Sequence, residues 1–136
     1  VSERVFRAVQ AEFSCGFCTD AQGAQTIGKT FRENHYLLDT HTAVACTVLD
    51  AYRSGTGDQT LTVVESTASP FKFCASVLDA LGVTEHAPGT GVLAQLTAET
   101  GRPAPKPLAS LAGKPVRFDQ VTDRGDMRAV VTEFLR

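Results

Sequence analysis

Ser66, Thr67 and Ser69 are crowded into one polar break in DQTLTVVESTASPFKFCASVLDALG, residues 58–82. Hydroxyls both donate and accept hydrogen bonds. At the junction of a strand and a helix they meet free backbone N–H groups and the positive end of the helix dipole, where an acceptor or an anion is favoured. The plainer reading makes Ser69 a helix N-cap and Thr67 a turn residue. A second constellation is LLDTHTAVA, residues 37–45, which places Asp39, His41 and Thr42 in the first turn of a helix. That turn is either a polar helix end facing a site, or a carboxylate on the dipole beside solvated neighbours. His35 and His86 stand in loop-like contexts and carry no signal.

Other chemistry is weaker. Lys72 in PFKF lies in the first turn of a capped helix, where a cation meets the unfavourable end of the dipole, and it reads as solvated rather than as a Schiff-base lysine. GTG at 55–57 and 89–91 is too short for a phosphate loop. Cys15 and Cys18 form C-x-x-C, but no second ligand pair follows for zinc and no strand precedes the motif as in thioredoxin-like proteins. They read as an incidental pair near a helix end, and no metal site is expected.

The elements that must position these groups are mostly helices. Ser2 caps a helix through Phe13, and Asp20 starts another with Ala24, Ile27 and Phe31 on one face, weakened by Gly23 and Gly28. Asp39 or Thr40 caps a third helix, with Val44, Val48, Leu49 and Tyr52 as its buried stripe and Gly55 as its stop. Residues 60–66 are rich in β-formers and apolar on both faces, which predicts a covered strand. Ser69 as cap, Pro70 at the first helical position and Gly82 past the end predict a helix over 70–81. A short helix before Gly101, a stiff linker over 101–107, room for a short strand in KPVRFD and a C-terminal helix complete the chain. The fold class read from this order is α/β and helix-rich, with one buried strand and space for a second.

The bulk properties fit one ordinary globular domain of 136 residues, with 43% hydrophobic and 21% charged residues. A net charge of −2 gives no electrostatic case for nucleic acid or an anionic membrane. No apolar run is long enough to span a bilayer. Without a disulfide framework, the cytoplasm is the default compartment. One or two strands cannot make a self-sufficient sheet, and the first residue is not Met, so the chain reads as a segment of a larger α/β protein.

NHYLLDTHTAVA followed by VVESTASPFKF resembles the C-terminal part of threonine synthase, specifically over about residues 20–82. That family carries Y-L-[IL]-D-P-H-T-A-V and then [ST]-T-A-[HS]-P-A-K-F. Thr40 stands where Pro is usual, and Ser69 where His is common. The resemblance implies a pyridoxal-phosphate enzyme of the fold that includes the tryptophan synthase β chain, converting O-phosphohomoserine and water to threonine and phosphate. It implies that Thr67 contacts the pyridine nitrogen of the cofactor, that Asp39, His41, Thr42 and Ser69 lie near the site, and that Lys72 matches a non-catalytic lysine. The family's cofactor lysine and phosphate cup lie upstream. Residues 1–136 are then a C-terminal fragment, inactive without the N-terminal remainder. Two alternatives stand beside this: another pyridoxal-phosphate lyase of the same fold, and a non-catalytic interaction module.

Overall fold

Side-chain caps set where the first three helices begin. The computed structural model describes residues 1–136. Helix α1 (Glu3–Glu12) starts at Ser2, whose hydroxyl accepts from the Val5 N–H. Helix α2 (Asp20–Asn34) starts at Thr19 in a reciprocal box: the Thr19 hydroxyl accepts from Gln22 N–H at 3.3 Å, and Gln22 Oε1 accepts from Thr19 N–H at 2.8 Å. Together these satisfy two N–H groups that the helix itself leaves free. Asp39 caps α3 (Thr40–Thr56). A 3-10 turn at Pro70–Lys72, capped by Ser69, leads into α4 (Cys74–Leu81). Helices α5 (Gly91–Thr100), α6 (Lys106–Ala109) and α7 (Met127–Phe134) follow, the last two flanked by short 3-10 turns.

Helix α2 packs on α3 and α4, and α4 packs on α5. The core gathers Ile27 of α2, Leu37 and Leu38 of the step before α3, Ala43, Phe71, three residues of α4 (Cys74, Val77, Leu78) and Leu96 of α5. Gly28 makes the α2–α4 approach possible. A Cβ at that position would sit 2.6 Å from the Ala80 carbonyl oxygen, a backbone atom that cannot swing aside. At the far end of α2, His35 takes a left-handed conformation (φ 54°) and its carbonyl accepts from the Arg102 guanidinium at 2.6 Å.

The structure corrects the α/β expectation. Every regular element is a helix, and neither residues 60–66 nor KPVRFD forms a strand. A β-rich run becomes a strand only when a neighbour supplies ladder partners, and no segment here does so. Leu61 and Val63 are 92% and 86% exposed instead of covered, and Val116 and Phe118 are exposed too. Side chains of α3 hold the segment in place of a ladder. The Tyr52 hydroxyl donates to Asp58 at 3.1 Å, and Arg53 donates to the Thr60 carbonyl at 2.9 Å and to Thr62 Oγ1 at 3.2 Å. Thr42 Oγ1 meets Ser66 Oγ at 3.1 Å. Residues 58–66 therefore run back along α3 from its C-terminus to its first turn.

Three local expectations change as well. Helix α3 runs past Gly55 and stops at Gly57, whose φ of 74° and N–H bond to the Arg53 carbonyl make it the true terminator. Its buried face is Thr42 and Ala43, while Val44 is exposed and Val48, Leu49 and Tyr52 are half-buried. The helix predicted over 70–81 is split at Phe73 (φ −131°, ψ 40°), although Pro70 and Gly82 occupy the expected ends.

Candidate functional site

The two motif segments meet at the first turn of α3. Asp39 is 1% exposed, and its carboxylate accepts from four donors or hydroxyls of its surroundings. His41 N–H donates to Oδ1 at 2.8 Å and Thr42 N–H at 3.3 Å. The Thr42 hydroxyl donates to Oδ2, and Ser66 Oγ lies 3.4 Å from the same oxygen. Burial pushes the Asp39 carboxyl up, but the Thr42 hydroxyl, the two N–H groups and the charge of His41 outweigh it, so the carboxyl titrates below its ordinary 3.8. An ionised carboxylate accepts only, which turns the hydroxyls around it inward as donors.

The second junction is aromatic. The imidazole of His41 lies tilted against the ring of Phe73, centroids 5.1 Å apart. Its Nδ1 is 3.5 Å from Asp39 Oδ1, with the side chain largely open to solvent. Ser69 accepts from the Phe71 N–H at 3.3 Å. Its oxygen therefore caps the 3-10 turn, the plainer of the two readings of its sequence.

Asp39, His41 and Thr42 thus share the first turn of α3, and Ser66 is the residue of the polar break that meets them, while Ser69 bonds only within its own turn. Thr67 is exposed, one residue past the tethered Ser66 and two before the cap. Ser66 is tied to α3, whereas the side chain of Thr67 makes no hydrogen bond to that helix. Lys72 is exposed on the 3-10 turn. A cleft of about 370 Å³ opens beside Phe73 between the start of α2, Thr40 and Ser76, and none of the five candidate side chains lines it. Two residues of this junction escaped the sequence reading as partners. Ser66 was visible only as one of three crowded hydroxyls, and Phe73 only as part of PFKF. Contact between segments 24 residues apart leaves no periodic trace.

Away from this turn, two thiols are shifted by their surroundings. Cys74 is buried, its Sγ donating to the Phe71 carbonyl at 3.2 Å, and burial raises its pKa. Burial, Asp50 and Asp39 do the same to Cys46. Cys15 is exposed and Cys18 half-buried, both as free thiols. No helix is long and apolar enough to cross a membrane.

The family model described as "Threonine synthase, C-terminal" matches residues 42–132, more than half of the chain. The chain belongs to this threonine-synthase C-terminal family. Among curated proteins it is similar to "Threonine synthase-like 1" of Mus musculus, 35% identical over 78 residues that cover 57% of this chain and 10% of that protein. The Homo sapiens protein of the same name is 28% identical over 85 residues, 62% of this chain and 11% of its own length. The chain thus spans about a tenth of the length of the curated relatives it matches.

Proposed function

We propose that the chain is the C-terminal part of a cytoplasmic, pyridoxal-phosphate-dependent threonine synthase, converting O-phosphohomoserine and water to threonine and phosphate. The observation that carries this reading is the meeting of the two motif segments, Thr42 to Ser66 at 3.1 Å, in a chain of this family. Thr67 fits one contact of the cofactor: it offers an exposed, neutral hydroxyl at a place whose backbone is anchored on both sides, by Ser66 and by the Ser69 cap. When bound, the cofactor supplies the electron sink for the reaction. Thr67 holds the pyridine nitrogen and orients the ring, and a hydroxyl does so without imposing the full protonation that a carboxylate would. Asp39, His41, Thr42 and Ser69 shape the support beneath it. The lysine that carries the cofactor and the donors for its phosphate are assigned to the N-terminal remainder of the protein, which makes that remainder the partner of this chain.

The test uses the product of the gene's full open reading frame, loaded with pyridoxal phosphate and supplied with O-phosphohomoserine. Threonine and phosphate should appear in equal amounts. Thr67→Val should shift the cofactor absorbance and lower turnover by about tenfold or more, the worth of one buried hydrogen bond. Cofactor binding without phosphate release would point instead to another pyridoxal-phosphate lyase. A protein that binds no cofactor would be the non-catalytic module.

A further inference from the structure

The buried carboxylate of Asp39 does more than cap α3. A cap needs only the two N–H bonds that Oδ1 receives from His41 and Thr42. Oδ2 is turned to the Thr42 hydroxyl and to Ser66 Oγ, a residue 27 positions away. Thr42 Oγ1 and Ser66 Oγ, 3.1 Å apart, complete a triangle of oxygens in which two hydroxyl protons serve three close pairs. This triangle is the last of the side-chain ties that lay residues 58–66 along α3, and it falls one residue before Thr67. With no ladder to fix the segment, the Thr67 backbone is held by this triangle on one side and by the Ser69 cap on the other.

We propose that Asp39 is a positioning residue which, through Thr42 and Ser66, fixes the backbone at Ser66 so that Thr67 presents its hydroxyl outward to the cofactor ring. The inference rests on the reading of Thr67 given above. The triangle acts before any ligand arrives, because all three of its members belong to this chain and the carboxylate oxygens are already met by donors of Thr42, Ser66 and His41. It therefore supplies preorganisation: the ring meets a hydroxyl already in place, and little ordering remains to be done on binding.

The experiment compares Thr42→Val, Ser66→Ala, Thr67→Val and the double variant Thr42→Val/Thr67→Val in the full open-reading-frame product. Thr42 is buried, but Val keeps its branched shape and leaves both Oδ1 cap bonds available, and Ser66 sits at the surface, so neither change opens a large cavity. Without cofactor, hydrogen exchange of the backbone amides of residues 66–69 should speed up by about five- to tenfold in Thr42→Val and Ser66→Ala, the effect of one lost hydrogen bond. With pyridoxal phosphate, both should weaken cofactor binding and shift its absorbance in the direction of Thr67→Val. Thr42→Ser, which restores the hydroxyl, should return both readouts to the parent. In the double variant the loss should be no greater than in Thr67→Val alone, since residues acting as a unit are not additive. A cofactor spectrum that moves with Thr67→Val but not with Thr42→Val or Ser66→Ala would overturn the positioning role and leave the Thr67 reading standing. A spectrum unmoved by Thr67→Val would remove that reading and this inference with it. Additive losses, or no rescue by Thr42→Ser, would overturn the inference by reducing Thr42 to an ordinary fold contact.

Discussion

Helices α4 and α7 have eight residues each and similar amphipathic patterns, yet α4 buries three side chains and α7 buries none. Helix α4 has Gly28 of α2 at backbone distance on one side and α5 on the other. Helix α7 keeps Met127, Val131 and Phe134 exposed. The same is true of α1, whose Val5, Phe6, Val9 and Phe13 form a regular apolar face that nothing in the chain covers. A periodic pattern creates a face. A neighbour that can come close enough decides whether that face contributes to stability.

The contrast can be tested from its largest consequence down. Leu78 is 0% exposed in the middle of the core, so Leu78→Ala should cost about 2–5 kcal/mol through lost burial and a cavity, read as a fall in denaturant midpoint. A loss below about 1 kcal/mol would mean that α4 is no better packed than α7. Gly28→Ala should destabilise by about 1–3 kcal/mol, because the new methyl meets the Ala80 carbonyl. Gly55→Ala has nothing within 4 Å of the added carbon and should be neutral or stabilise by up to about 1 kcal/mol. Equal effects at the two glycines would show that close approach is not what Gly28 provides.

A third test concerns the first turn of α3. Asp39 titrates below its ordinary 3.8 in the folded chain. A depressed carboxyl stabilises the fold above the unfolded value, and that contribution disappears as the pH falls through the folded value. Asp39→Asn should therefore be less stable than the parent at neutral pH, by up to about 1 kcal/mol, and the gap should close in acid below that value. Thermal midpoints measured across that range would check it, and a gap that widens in acid would reverse the assignment. The smallest effect is expected at Phe134, 82% exposed, where Phe134→Ala should change stability by less than about 0.5 kcal/mol.

The helices were legible because their ends carry local chemistry. Ser2, Asp39 and Ser69 cap as their sequence context suggests, and Gly82 and Gly101 terminate with positive φ. What was not legible depends on partners distant in sequence. Residues 60–66 have the side chains of a strand but lack the second strand, so the apolar pattern that predicted burial ends on the surface. Gly28 read as a flaw in a helix because the Ala80 carbonyl that requires it lies 52 positions on. Around the candidate site, Asp39, His41 and Thr42 were visible as a group, whereas their link to Ser66 depends on the return of the chain along α3.

Arg102 clasps the carbonyl of His35 across 67 positions of chain. Closing so long a loop adds little entropy cost beyond that of a loop half its length, but it can happen only after α2, α4 and α5 have assembled. A clasp made that late is expected to be missing from the transition state. Its contribution belongs to the lifetime of the native chain: loosening it should hasten unfolding while leaving the refolding rate as it was.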